Sequence, residues 1–121
     1  MKQFSFEKLT VWQKAKEFTL NIYKATNNLP SEERFGLKSQ LRRAAVSVAS
    51  NLAEGSARKS KKDQAHFSQI AYSSLMEVAC QLIIAKDLEY IEQNDFDFLY
   101  ETTQELSRML NGLYQLQYGD N

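Results

Sequence analysis

Proline and glycine are scarce: one proline, Pro30, and four glycines in 121 residues. A chain with so little turn chemistry cannot be cut into many short strands, and a few long helices are the natural reading. Cysteine is almost absent as well. The single Cys80 excludes an internal disulfide and fits a reduced, cytoplasmic setting. The single His66 lies fourteen positions from Cys80, roughly 21 Å along one helix at about 1.5 Å per residue. The two cannot share a metal or act as nucleophile and base within one chain. His66 reads as an exposed or satisfied helix residue, and Cys80 as a small core hydrophobe. No Glu-x-x-His pair, HExxH motif or glycine-rich phosphate loop occurs, so no metal, cofactor, small-molecule substrate or enzymatic activity is expected. No signal-like segment opens the chain, and no stretch approaches the roughly 18 apolar residues of a membrane span.

Net charge is also missing, since 15 basic residues balance 15 acids. Neutrality argues against a general polyanion binder, but the charges are not evenly spread. Eight basic residues (Arg34, Lys38, Arg42, Arg43, Arg58, Lys59, Lys61, Lys62) face one acid, Glu54, between positions 34 and 62. Seven acids and no base lie between Asp87 and Glu105. These two segments can meet a charged partner, or they can face each other across helices or subunits.

What is present is helical periodicity. One domain over residues 1–121 is expected, with helices near 10–28, 33–54, 61–88 and 95–117. Val11, Ala15, Phe18, Ile22, Ala25 and Leu29 make the first stripe, opened by a capping box at Thr10 and Gln13. Phe4, Phe6 and Leu9 form an apolar arm before it that should dock. Leu37, Leu41, Ala44 or Ala45, Val48 and Leu52 make the second stripe, with Gly55 as a left-handed helix cap. Ser60 reads as the next N-cap, ahead of Phe67, Ile70, Ala71, Ser74, Val78, Leu82 and Ala85. Asn94 reads as the last cap. Phe96, Leu99, Thr103, Leu106, Leu110, Leu113 and Gln117 then step by three and four, as in a bundle seam. Fraying is expected over residues 119–121. The architecture predicted is an all-α, up-down-up-down antiparallel four-helix bundle. A second apolar line at Tyr100, Met109 and Leu116, with Trp12 and Tyr23, implies either a wide core or a partner, and a symmetric oligomer is expected.

Two surfaces carry the functional expectations. Gln40, Arg43, Ser47, Asn51 and Glu54 share one side of the second helix and read as a polar seam toward Glu77 and Ser73 or Ser74. Arg42, Arg43, Arg58, Lys59, Lys61 and Lys62 make a phosphate-reading surface for RNA or a ribonucleoprotein. The alternative is a scaffold that recruits a protein partner without touching nucleic acid.

Several segments resemble one family in order along nearly the whole chain. These are Leu9-Thr10-Val11-Trp12-Gln13-Lys14-Ala15, Leu29-Pro30-Ser31-Glu32-Glu33, Gln40-Leu41-Arg42-Arg43-Ala44-Ala45-Val46-Ser47, Asn51-Leu52-Ala53-Glu54-Gly55 and Ala71-Tyr72-Ser73-Ser74-Leu75-Met76-Glu77. The sequence is similar to the four-helix bundle proteins also called 23S rRNA intervening-sequence proteins, sometimes labelled ribosomal. Val48-Ala49 departs from the apolar residue and proline that many relatives carry. The resemblance implies a homopentameric ring, with some members encoded inside insertions in large-subunit ribosomal RNA genes. A related branch resembles the accessory proteins of diversity-generating retroelements, basic pentamers that bind a reverse transcriptase and nucleic acid.

Overall fold

A computed structural model describes residues 1–119, and the fraying expected at Asp120 and Asn121 lies outside them. The described residues form four α-helices and no strand: α1 (Thr10–Thr26), α2 (Leu37–Ser56), α3 (Lys61–Asp87) and α4 (Gln93–Tyr118). Short 3₁₀ turns at Ser5–Lys8 and Ser31–Glu33 precede α1 and α2. Each helix packs against two neighbours, in the cycle α1–α2–α3–α4–α1, with no close backbone approach across either diagonal among the described residues. Phe18, Ile22, Leu41, Val48, Leu75, Val78, Leu82, Leu99, Leu106 and Leu110 fill the centre and are essentially inaccessible. Their spacing of three and four places them on one stripe per helix, and burying those stripes together is the main stabilising term.

Helix ends differ from the sequence expectations in physically readable ways. Thr10 is not a cap. Leu9 holds the N-cap position without a side-chain bond, and Gln13 Nε2 donates instead to the Glu7 carbonyl at 2.8 Å, because the preceding 3₁₀ turn presents that oxygen. In that turn the Phe4 amide donates to Glu7 Oε2 at 2.8 Å. Phe6 meets Trp12 edge-on at 4.9 Å, so the arm docks from Phe6 onward while Phe4 stays exposed. α2 starts at Leu37 rather than near Glu33, whose carboxylate accepts the Leu37 amide at 3.1 Å.

Gly55 is a clear correction. The helix runs through it to Ser56, and no glycine among the described residues has a positive φ. Its reason is close approach: a Cβ there would meet Phe67 Cβ at 2.9 Å. The left-handed residue is Glu89, φ 64°, which lets the Tyr90 amide donate back to the Ala85 carbonyl at 2.9 Å and closes α3. Asn94 lies inside α4, whose N-cap position is Glu92 with no side-chain bond. Ser60 does cap α3, its hydroxyl accepting from the Asp63 amide at 3.1 Å.

Two further expectations about α3 change. Cys80 is exposed rather than a core hydrophobe. The helix also carries an 18-residue window of mean hydropathy 1.2 and is, among the described residues, the one helix long and apolar enough to cross a membrane by length and composition. Its inner side packs on α2 and α4 through Ala71, Leu75, Val78, Leu82 and Ala85, as a core helix does. Met76, Ile83, Ile84 and Leu88 stay 38–51% exposed on its outer side.

Candidate nucleic-acid interface

The basic burst forms the connection between α2 and α3. The Ala57 and Arg58 amides donate to the Glu54 and Gly55 carbonyls at 3.2 and 3.1 Å, closing the last turn of α2. Gln64 Nε2 reaches back to the Arg58 carbonyl at 2.9 Å, and the Arg58 guanidinium lies 4.6 Å from the Phe67 ring centre. Arg58, Lys59, Lys61 and Lys62 are all exposed. Gly55 is what lets this corner close, since the backbone of α2 rests against Phe67.

The position of Lys61 and Lys62 is informative. They occupy the first turn of α3, where the helix dipole is positive and cations are disfavoured. Beside the turn is a pocket of about 360 Å³ with an apolar floor of Leu52, Leu113 and Leu116 and a polar wall where Ser68 Oγ donates to Gln117 Oε1 at 2.6 Å.

Arg42 and Arg43 lie elsewhere. Arg42 is used within the fold: its Nε donates to Thr26 Oγ1 at 2.9 Å, and its Nη2 reaches the Tyr23 carbonyl and Asn27 Oδ1, both at 3.1 Å. The guanidinium also stacks 4.4 Å from the Tyr23 ring centre. It satisfies carbonyls and side chains at the end of α1, so its donors are not presented to a phosphate as the sequence reading has it. Arg43 is exposed on α2.

The seam between α2 and α3 is real but narrower than its sequence pattern. Ser47 and Ser74 hydroxyls meet at 2.8 Å across the helices. Asn51 Nδ2 stays on its own helix, donating to the Ser47 carbonyl at 2.8 Å and to Ser47 Oγ at 3.0 Å. One end is tied by Gln81, whose Nε2 donates to Gln40 Oε1 at 3.2 Å and, more weakly, to Glu77 Oε2 at 3.4 Å. Gln81 Oε1 is buried without a protein partner among the described residues. Within the same residues, Arg43, Glu54 and Ser73 make no side-chain hydrogen bond across the seam. Sequence reasoning misses Gln81, although it lies four residues after Glu77 in the seam's own register.

Among the described residues no three His, Cys, Asp or Glu side chains come together to hold a metal. Burial raises the Tyr90 pKa, and the neighbouring Glu33 and Glu32 carboxylates raise it further. That contact ties the loop before α2 to the turn before α4.

A protein of unknown function from the S23 ribosomal protein family of Bacteroides thetaiotaomicron has the same fold, with a TM-score of 0.79 and 23% identity over 88% of this chain and 99% of its own. No curated protein matches. The 23S rRNA-intervening sequence protein profile matches residues 7–112. Spanning that much of the chain, with four helices in place, the match establishes that this protein belongs to the 23S rRNA-intervening sequence protein family, for which no enzymatic role is known.

Proposed function

We propose that the protein is a non-enzymatic, cytoplasmic subunit of a homopentameric ring that binds RNA or a ribonucleoprotein through Arg58, Lys59, Lys61 and Lys62. The carrying observation is that two of these cations occupy the positive end of α3, against the helix dipole, in an exposed turn of only a few residues. Phosphate groups would reverse that unfavourable local field, and repetition around a ring would multiply a modest patch. An antiparallel, up-down-up-down bundle is supported by contacts that run in opposite chain order. Gln40 meets Gln81 while Ser47 meets Ser74, and Arg42 meets Thr26 while the Ala45 carbonyl accepts from Thr19 Oγ1 at 3.2 Å.

The test is an RNA titration of the purified protein at low and physiological salt, with mass measured by light scattering in the same buffers. The expected result is binding that weakens steeply with salt. Absence of binding at both salt concentrations would favour the alternative, an oligomeric scaffold for a protein partner, for which exposed Phe35 and Phe98 offer apolar contacts.

A further inference from the structure

The outer side of α3 and the groove between α1 and α2 both expose apolar side chains, with charges of opposite sign beside them. Met76, Ile83, Ile84 and Leu88 step along α3 as an exposed apolar ridge, which no other described helix covers. On a different side of the bundle, Trp12 and Leu20 of α1 and Val46, Ala49 and Ala53 of α2 line an open groove of about 310 Å³. Ala49 and Ala53 are the reason for the hollow, because small side chains there leave the α2 backbone close to the surface. Leu20 and Val46 are 55% and 40% exposed.

Charge supports the same pairing. The groove carries Lys16 on its α1 wall, and Arg43 follows one turn before Val46 on the outer side of α2. Among the described residues Arg43 has no acidic partner, and Lys16 contacts only the Trp12 ring, 5.5 Å from its centre. The ridge is flanked by exposed acids: Glu77, which accepts weakly from Gln81 at 3.4 Å, and Asp87, which lies 4.0 Å from Lys86 at the edge of ion-pair range. Basic groove and acidic-edged ridge belong to one chain, so the occupant that satisfies both is a second copy of that chain.

We infer that the α3 ridge of one subunit seats in the α1–α2 groove of the next, with Arg43 and Lys16 facing Glu77 and Asp87. This rests on the oligomeric reading above and names its interface. Two different surfaces are joined, so each subunit offers one ridge and one groove, and successive contacts close a ring when the rotation permits. The ridge thereby gains the cover that its exposure lacks in the isolated chain.

The native Cys80 lies on the ridge, between Met76 and Ile83, and supplies the probe. In Val46→Cys, a short bis-maleimide is expected to join the introduced groove thiol of one copy to Cys80 of the next and to give a ladder of covalent species beyond the dimer. Wild type and Val46→Cys/Cys80→Ser are expected to give no ladder. Ile83→Asp, at an exposed site, should retain helical circular dichroism and scatter as a monomer. If the protein is oligomeric yet Val46→Cys gives no ladder, this interface is wrong while the oligomer stands. A monomeric wild type at all concentrations overturns both. Covalent dimers from wild type alone would place two ridges together and overturn the ridge-in-groove contact.

Discussion

Gly55 shows how one residue can be chosen for what touches it rather than for its own backbone. Its φ is ordinary, and a methyl group would sit 2.9 Å from Phe67 Cβ on the facing helix. Helix propensity alone would make Gly55→Ala stabilising by roughly 1 kcal/mol. Overpacking costs typically about 1–3 kcal/mol and acts at a buried helix–helix contact, so it should win. Thermal unfolding of Gly55→Ala is expected to show a lower Tm, and an increase would mean that α3 moves aside freely. Tyr90 gives a second prediction at this scale. Its phenol pKa lies above the usual value of about 10 because burial and the Glu33 and Glu32 carboxylates disfavour the phenolate. The folded state then holds the proton more tightly than the unfolded one. The resulting stability is fully present below about pH 10 and is lost as pH rises through the folded pKa. Tyr90→Phe should flatten the fall of Tm between roughly pH 9 and 11, whereas an unchanged alkaline slope would assign that fall to other groups.

At the level of the helix, much of the seam's address was legible and its wiring was not. Gln40, Ser47 and Asn51 share a side of α2 by spacing alone, and the side proves to face α3. Spacing cannot say which members cross. Asn51 folds its amide back onto Ser47, so the cross-helix bond belongs to Ser47 and Ser74. Ser47→Ala should therefore lower stability by about 1 kcal/mol, the net worth of a partly buried hydrogen bond. Asn51→Leu removes bonds within α2 only, and should alter Tm less than Ser47→Ala while leaving assembly unchanged. Melting and light scattering of the two variants check this, and a larger loss for Asn51→Leu would return the seam's weight to Asn51. The same limit explains the helix ends. Apolar periodicity places all four helices, because burial at three- and four-residue spacing dominates. Caps depend on which group reaches an open N–H or carbonyl, and Gln13, Glu33 and Arg42 do this from neighbouring turns or helices. Arg42 departs from its sequence reading for that reason. Its charge is visible in the sequence, but Thr26, at the end of α1 that it caps, is sixteen residues away from it in chain order.

For the whole molecule, zero net charge hides two poles, and the basic pole makes a quantitative prediction. Each cation that neutralises a phosphate releases counterions, so on single strands log K falls with log salt by about 0.7 per contact. Replacing Lys59, Lys61 and Lys62 together by glutamate removes three candidate contacts from each subunit. All three are exposed, so the reversal should leave the fold intact. The variant is expected to keep its circular dichroism and its mass by light scattering, because the ridge and groove lie on other surfaces. Its affinity for single-stranded RNA should fall, and the salt slope per bound subunit should shrink by about 2. Loss of affinity with an unchanged slope would mean that these lysines act through the shape of the turn. Unchanged affinity and slope would remove the α2–α3 turn from the RNA surface and shift the search to protein partners.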